Sequence, residues 1–231
     1  MKATFVRKIY REQDIQKING NLLLLGRSKI DATTYITIRF LTSALVFLLV
    51  LYNLAWGYII APVVTLAYYY LFYYVTIFRP IIERTKKLDR EALYFFEILT
   101  LTLESGRNLE NALEITVFNV DSELSGEFKK ALFEVKFGKS LIEALEDMKK
   151  RIPSETINNI ILNIIQTSIF GNSILDTMYQ QIEFLRDKQV LEIKGQINKI
   201  PNRVSIISVL FVVPLILLLV LGPFLIEFIT K

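Results

Sequence analysis

The sequence predicts an all-α integral membrane protein with three transmembrane helices and a cytoplasmic six-helix bundle. Two observations lead to this prediction. No Asp, Glu, Lys or Arg occurs in residues 40–78 or 204–226, although charged residues make up 22% of the chain. In the charged segment between these runs, a turn motif centred on glycine occurs three times. The uncharged runs predict the membrane helices, and the repeated turn predicts the helical bundle.

The first uncharged run is long enough for a membrane hairpin. It has about twice the roughly 20 apolar residues that a helix needs to cross a bilayer. Trp56, Gly57 and Pro62 interrupt it near its middle. We therefore predict a transmembrane helical hairpin over residues 37–78, with a tight turn between its helices. The two helices are placed near residues 37–55 and 58–78.

The other regions are assigned relative to these apolar runs. The second run predicts the third transmembrane helix, and the region before the hairpin is predicted to include an amphipathic helix along the inner membrane surface. The remaining boundaries are 1–36 for the N-terminal region, 79–203 for the six-helix domain, 204–228 for the third transmembrane helix and 229–231 for a short outer tail.

The distribution of Lys and Arg predicts the orientation. These residues gather before the first apolar run and at both ends of the central segment. The hairpin turn has none, and only Lys231 follows the last run. Because cytoplasmic loops of membrane proteins are enriched in Lys and Arg, we predict a cytoplasmic N-terminus and central domain and an external C-terminus. The same placement accounts for the net charge of +4 without a nucleic-acid partner.

The chain contains no Cys and no His. Disulfides, zinc sites built from these residues, and catalysis that depends on them are therefore excluded within the sequence. We predict no catalytic residue, no metal and no cofactor.

The repeated motif reads SGRNLENAL, FGKSLIEAL and FGNSILDTM, centred on Gly106, Gly138 and Gly171. Glycine can adopt the left-handed conformation that ends a helix, and a residue two positions later can cap the next helix through its side-chain oxygen. The spacing of 32 and 33 residues is typical of helical hairpins. The capping residues are Asn108, Ser140 and Ser173.

Short turns between antiparallel helices place alternate turns at opposite ends of the domain. We predict the three glycine turns at the membrane-distal end, and the turns near residues 119–121 and 152–153 at the membrane-proximal end. Residues 92–103 and 157–169 are apolar nearly all round, so we expect these helices to be the most buried.

These motifs resemble the type II secretion system F family. The matching residues include Leu-Glu-Ser-Gly at 103–106, Phe-Gly-Lys-Ser-Leu at 137–141, Phe-Gly at 170–171 and Leu-Gly-Pro at 221–223. Secretion and type IV pilus platforms usually carry two copies of this domain. A single copy after a membrane hairpin is most similar to the TadC/TadB subgroup of tight-adherence (Tad/Flp) pili.

The resemblance implies a non-enzymatic platform protein in the cytoplasmic (inner) membrane of a bacterium or archaeon. Such a protein couples a hexameric cytoplasmic assembly ATPase to the extraction of pilin or pseudopilin subunits from the lipid bilayer, and it acts with a second platform paralogue or with itself. In agreement, the chain has no GxxxxGK[ST] phosphate loop. The alternative is a small membrane transporter or channel subunit, but such a protein would need polar groups along a path through the bilayer. The apolar runs offer few, among them Thr42, Ser43, Asn53 and Thr65.

Several residues are candidates for contacts with these partners. Beside the glycine turns, the candidate ATPase contacts are Arg107, Lys139 and Asn172. Glu104, one turn earlier, is a candidate subunit contact, although a solvated carboxylate is the simpler interpretation. In the third transmembrane helix, the candidate pilin or partner contacts are Pro214, Gly222 and Pro223, although membrane helices often tolerate Gly and Pro without such a role.

Overall fold

The computed structural model describes residues 12–26, 31–53, 57–170, 173–197, 208–217 and 219–221. Within these ranges the chain is helical apart from its turns and contains no β-strand. Residue contacts divide the chain into two units, Met1–Ile182 and Glu183–Lys231.

The first unit begins with a helix, α1 (Glu12–Leu24), followed by an apolar hairpin of α2 (Ala32–Asn53) and α3 (Gly57–Tyr73). α2 and α3 pack together through the small residues Ser43, Gly57 and Ala61, all of which are buried. Small side chains let two helix backbones approach closely, which is how helices associate in lipid. Most of the larger apolar side chains of the hairpin face outward and are exposed, as expected for surfaces that contact lipid.

Arg39 holds the two hairpin helices together at one level. It lies on α2 and is only 7% exposed. Its Nε and Nη2 atoms donate hydrogen bonds to the carbonyl oxygen of Tyr69 on α3, at 3.2 and 2.9 Å. Its guanidinium carbon lies 3.5 Å from the centre of the Tyr69 ring, a favourable cation–π contact. These contacts satisfy the Arg39 charge among apolar surroundings.

α3 continues without a loop into the second half of the unit. A π-helical turn, Tyr74–Phe78, joins it to α4 (Arg79–Glu104). The wide turn lies just before Pro80, which has no N–H to donate and whose ring would clash with the carbonyl oxygen of Thr76 in a regular α-helix. The result is one helix of 48 residues, Gly57–Glu104.

Two helices of the described chain, Ala32–Asn53 and Gly57–Glu104, are long and apolar enough to cross a membrane. They include the two helices predicted from the first apolar run, although α2 starts earlier than the predicted residue 37. The predicted third transmembrane helix, 204–228, lies partly outside the described residues. What is described there belongs to a shorter apolar helix, Ser208–Leu221, so a third transmembrane helix stays a prediction.

The described residues from Arg79 to Ile197 form six helices. Short turns join successive helices. The five that follow α4 are α5 (Leu109–Asn119), α6 (Glu123–Lys136), α7 (Leu141–Lys149), α8 (Glu155–Phe170) and α9 (Ile174–Ile197). The boundary between the two units falls within α9, after Ile182.

An aromatic cluster forms the centre of the core. Phe95 and Phe96 on α4 and Phe128 on α6 have almost no exposed surface. The rings of Phe95 and Phe128 are stacked with their centres 4.6 Å apart, and Phe96 meets both rings edge-on. Burial of each such side chain contributes about 1.5–3 kcal/mol. α8 adds a buried stripe of isoleucines at positions 157, 160, 161, 164 and 165.

Candidate functional site

Two of the three predicted glycine turns lie in the described chain and have the expected geometry. Gly106 and Gly138 have φ angles of +80° and +99°, which an L-residue with a side chain adopts only with strain. Asn108 accepts a hydrogen bond from the backbone of Asn111 and caps α5. Ser140 and Glu143 form a reciprocal capping box at the start of α7. Gly171 lies outside the described residues.

Contacts with the first half of α4 locate the turns between α5 and α6 and between α7 and α8. The Glu91 carboxylate accepts a hydrogen bond from the backbone N–H of Leu124 at the start of α6, at 3.1 Å. Ser154, just before α8, donates a hydrogen bond to Asp89. The connections between α5 and α6 and between α7 and α8 therefore lie beside the first half of α4.

The glycine turns lie at the other end of the domain. From the contact between Glu91 and Leu124, α4 continues to Glu104 and α6 continues to Lys136, which is 13 and 12 residues respectively. At 1.5 Å per residue, both helices end about 20 Å from that contact. The turns at Gly106 and Gly138 are thus at one end, the end farther from the apolar hairpin. We call this the distal end.

The candidate contacts at the distal end differ in their surroundings. Arg107 is exposed and makes no hydrogen bond or ion pair with any described residue. Lys139 instead forms ion pairs with Glu134 and Asp147, at 2.7 and 2.8 Å. Hydrogen bonds from Lys139 and Lys150 lower the pKa of Asp147 to about 2. The Lys139 charge is therefore already compensated within the chain, whereas Arg107 has no charge partner among the described residues. Asn172 lies outside the described residues.

Glu104 has a partner within the same chain. The hydroxyl of Tyr179 on α9 donates a hydrogen bond to Oε1 of Glu104. This hydrogen bond raises the pKa of Tyr179. Glu104 therefore joins the end of α4 to the first part of α9, a structural role that the sequence prediction of a subunit contact did not include.

A buried group of charges lies at the proximal end of the domain, the end nearer the apolar hairpin. It was not predicted from the sequence. We call it the Arg84 cluster: Arg84, Glu123, Glu127, Arg151 and the carbonyl oxygen of Leu24. The Arg84 side chain is 8% exposed and that of Glu127 is 3% exposed. Arg84 donates to Glu123 at 2.6 Å, to Glu127 at 2.9 Å, to the Arg151 carbonyl at 3.0 Å and to the Leu24 carbonyl.

The Arg84 cluster joins parts of the chain that are far apart in sequence. It connects the end of α1, the start of α4, the start of α6 and the turn after α7. Burial alone would raise the pKa of Glu123, but hydrogen bonds from Arg84 and Lys87 outweigh it and lower that pKa. The Glu123 carboxylate is therefore held in its charged form.

One sequence signal could have identified this cluster. Arg84 precedes the buried residues Leu88, Ala92 and Phe95 at helical spacing, so it lies on the core-facing stripe of α4. A charged residue on such a stripe requires buried partners of opposite charge. The partners themselves are too distant in sequence to be identified from it.

Of the candidate contacts in the apolar C-terminal segment, only Pro214 is described. It lies in an exposed helical stretch of Ser208–Leu221. Gly222 and Pro223 lie outside the described residues. In the part of the chain that the structure describes, no group of three or more acidic side chains is placed to hold a metal ion.

These features define a class of protein: an all-helical chain in which an apolar hairpin and a helical domain with capped glycine turns share one continuous helix. Comparison with known families agrees. The family described as type II secretion system (T2SS), protein F, matches residues 95–222, more than half of the chain, and the protein belongs to this family. No curated protein and no solved structure matches the chain significantly.

Membership of this family indicates a platform protein of the type II secretion or type IV pilus kind, associated with the inner membrane. The matched residues begin within α4 and include all the glycine turns. The match does not distinguish the tight-adherence subgroup, which stays a prediction.

Proposed function

We propose that this protein is the inner-membrane platform of a type IV pilus-like machine of the tight-adherence (Tad/Flp) kind. It couples a hexameric cytoplasmic assembly ATPase to the extraction of pilin subunits from the bilayer and to fibre polymerisation, and it has no enzymatic activity of its own. Family membership and the position of the F domain after an apolar hairpin support this proposal.

The observation that carries the proposal is the continuous helix Gly57–Glu104. Its 48 residues extend for about 70 Å, from the apolar hairpin to the distal turn at Gly106. Because no loop interrupts it, a displacement at the distal end moves the hairpin as well. A platform that transmits motion from a motor to subunits in the membrane needs such a link.

The Arg84 cluster supports the same function. It fixes the end of α1 and two turns of the domain to the start of α4, where the helix leaves the apolar hairpin. Multiple charge-assisted hydrogen bonds at one buried residue resist relative movement of the elements they join. The domain therefore turns with α4 rather than around it.

We place the ATPase contact at the distal end, around Arg107, and the pilin contact in the apolar C-terminal segment around Pro214. Asn172, Gly222 and Pro223 remain candidates at these two places. Lys139 contributes to the first contact only if the partner displaces Glu134 or Asp147 from it, because both carboxylates already bind its ammonium group.

Charge reversal at the distal end tests the ATPase contact. We expect Arg107→Glu to reduce co-purification of the assembly ATPase and to reduce fibre output, because an exposed cation with no partner among the described residues is replaced by an anion. Lys86→Glu is the matched control, since Lys86 is also an exposed cation but lies on α4 near the proximal end. Unchanged ATPase recruitment and fibre output in a folded Arg107→Glu protein would refute this contact.

The transport alternative has less support. Thr42, Ser43 and Asn53 all donate hydrogen bonds to carbonyl oxygens of their own helix. The hydroxyl and amide donors of these three side chains are therefore satisfied within α2, whereas the buried hydroxyl of Thr65 on α3 has no hydrogen-bond partner among the described residues. Solute flux through proteoliposomes containing only this protein would favour the alternative.

A further inference from the structure

A cavity of about 570 Å³ lies at the proximal end, between the end of α1 and the outer side of α6. Leu23 and Gly26 line it from α1, residues between Gly126 and Glu134 line it from α6, and Arg151 lines it from the turn after α7. A Cβ added at Gly126 would meet nothing within 4 Å beyond its own stretch of helix. We call this space the proximal cavity, and its volume is in the range of small-molecule binding sites.

Three cations line the proximal cavity: Lys129, Lys130 and Arg151. Lys129 is exposed, and its side chain makes no ion pair or hydrogen bond with any described residue. Arg151 donates a hydrogen bond from Nη1 to Glu134, at 2.9 Å. Its Nε and Nη2 atoms are buried and have no hydrogen-bond partner among the described residues. Oε2 of Glu127 lies 3.4 Å from Nε, as an ion pair without a hydrogen bond.

The carboxylates at the cavity do not neutralise these cations. Glu127 and Glu134 belong to a connected network of ion pairs in which six cations meet four carboxylates, so the network has two positive charges in excess. Its members are Arg84, Lys87, Lys130, Lys139, Lys150 and Arg151 with Glu123, Glu127, Glu134 and Asp147. Lys129, outside this network, adds a further positive charge at the cavity. The region is therefore suited to an anionic ligand.

A phosphate group matches these donors in charge and in geometry. Guanidinium and ammonium groups bind phosphate oxygens through charge-assisted hydrogen bonds, which are stronger than those between neutral groups. A buried N–H group without an acceptor destabilises a protein, and a phosphate oxygen would supply the acceptor that Nε and Nη2 of Arg151 lack. Because the Arg151 side chain lines the cavity and is 23% exposed, its guanidinium group has room to turn toward such an oxygen.

We propose that the proximal cavity binds the phosphate group of an anionic phospholipid in the adjoining membrane leaflet. Arg84, which binds Glu127 at the cavity, lies five residues after Arg79, the end of the uncharged run, and thus about 7.5 Å along the helix. The headgroup layer of a bilayer is about 5–8 Å thick on each side. Leu23 and Phe133 also line the cavity, and a lipid can cover such apolar surface whereas a free phosphate ion cannot.

This inference goes beyond the proposed function. It requires the membrane association that family membership indicates, but it requires no partner protein and no fibre. A lipid in the cavity would contact α1, α6 and the turn after α7 at once. It would thus attach the domain to the bilayer at a second place, beside the continuous helix.

Neutral replacement of Lys129 tests the site, because it removes a cation that has no partner among the described residues. The full chain, purified in a non-ionic detergent, is titrated with dioctanoyl phosphatidylglycerol, and binding is followed as a saturable rise in Tm. We expect Lys129→Gln to weaken binding by about tenfold, the effect of one charge-assisted hydrogen bond. Lys86→Gln is the matched control, since Lys86 is an exposed cation near the proximal end that does not line the cavity, and it should leave binding unchanged.

Equal weakening in the Lys129→Gln and Lys86→Gln variants would indicate general attraction of anions and would overturn the proposal. The absence of saturable binding to the unaltered chain would overturn it as well. Titrations with inorganic phosphate and with dioctanoylglycerol identify the source of the ligand. We expect neither to raise Tm at concentrations at which phosphatidylglycerol does. Equally tight binding of inorganic phosphate would rule out the lipid, and equally tight binding of dioctanoylglycerol would rule out recognition of phosphate.

Filling the cavity gives a test that changes no charge. Gly126→Leu places an apolar side chain in the open space beside α6. We expect it to abolish the rise in Tm with phosphatidylglycerol and not to lower Tm without lipid, because leucine is a better helix former than glycine. Gly20→Leu is the control, since Gly20 is also helical and has open space around it but does not line the cavity. Unchanged lipid binding in Gly126→Leu, or equal loss in Gly20→Leu, would show that the lipid does not bind in this cavity.

Discussion

Replacement of Arg84 tests whether the buried charge cluster holds the proximal end together. Arg84→Met keeps much of the side-chain volume but removes every hydrogen bond that Arg84 donates. Glu127, 3% exposed, then keeps Lys130 at 2.8 Å as its closest cationic partner, and the carbonyl groups of Leu24 and Arg151 lose their donor. Removing one partner from a buried ion pair costs about 3–5 kcal/mol.

This loss should be visible in thermal unfolding of the purified protein in detergent. For a chain of this size, each kcal/mol shifts Tm by about 2–4 °C, so we expect Arg84→Met to unfold roughly 10 °C lower. We also expect faster amide hydrogen exchange near Leu24, because α1 loses its attachment to α4. Lys87→Met is the control, since Lys87 also pairs with Glu123 but is 54% exposed, and its removal should change Tm little.

A second variant distinguishes the ion pair from packing. Arg84→Met combined with Glu127→Leu removes both charges, and apolar replacement of both partners in a buried pair is often neutral or stabilising. We expect the double variant to recover much of the lost Tm. The reasoning would be wrong if Arg84→Met unfolded at the same temperature as Lys87→Met, or if the double variant were less stable than either single variant.

Two further predictions concern the stability of the protein at low pH and the effect of replacing a glycine in a turn. Interactions with cations lower the pKa values of Glu123 and Glu134 in the folded protein. The ion pairs of these two carboxylates therefore contribute their full stability above the ordinary carboxylate pKa. That stability is lost as the pH falls through the lower pKa values of the folded protein. Tm measured from about pH 6 to about pH 3 should therefore fall, and less steeply in Glu123→Gln; an equal fall in both would contradict this account. Gly138→Ala should lower the unfolding free energy by about 1 kcal/mol, because φ there is +99°, whereas Gly126→Ala, in the first turn of α6, should not lower it; equal losses would refute the turn geometry.

The turns of the domain could be predicted from sequence because their chemistry is local. A glycine, a capping side chain and an acidic residue three positions later lie within about one helical turn, as at Gly138, Ser140 and Glu143. Each group needs only its immediate neighbours to adopt its conformation. The described turns accordingly have the expected geometry.

Burial was harder to predict because composition does not show which side of a helix is covered. We expected the helix over residues 92–103, which is apolar nearly all round, to be among the most buried. In the structure, Phe95 and Leu99 are fully buried, but Tyr94 and Leu101 on the other side of α4 are 58% and 60% exposed. One face of α4 packs within the domain, and the apolar residues on its other face have no neighbour among the described residues that would bury them.

The start of α2 was also not predicted correctly from the sequence. Hydropathy places the apolar segment from residue 37, whereas α2 begins at Ala32. Hydropathy reports where a chain can enter lipid, and a helix can begin before that point. The Arg84 cluster could not be assembled from sequence for a different reason: its members are brought together only by the packing of four separate elements.

The uninterrupted length of α4 fixes the distance between the apolar hairpin and the distal turn. From Arg79, where the uncharged run ends, to Glu104, this helix has 26 residues and is about 40 Å long. A motor bound to the turn at Gly106 would lie at that distance from the end of the uncharged run. Each residue added to or removed from the helix would change this distance by about 1.5 Å. If the distal end contacts a motor as proposed, the length of α4 would set the distance between that contact and the apolar hairpin.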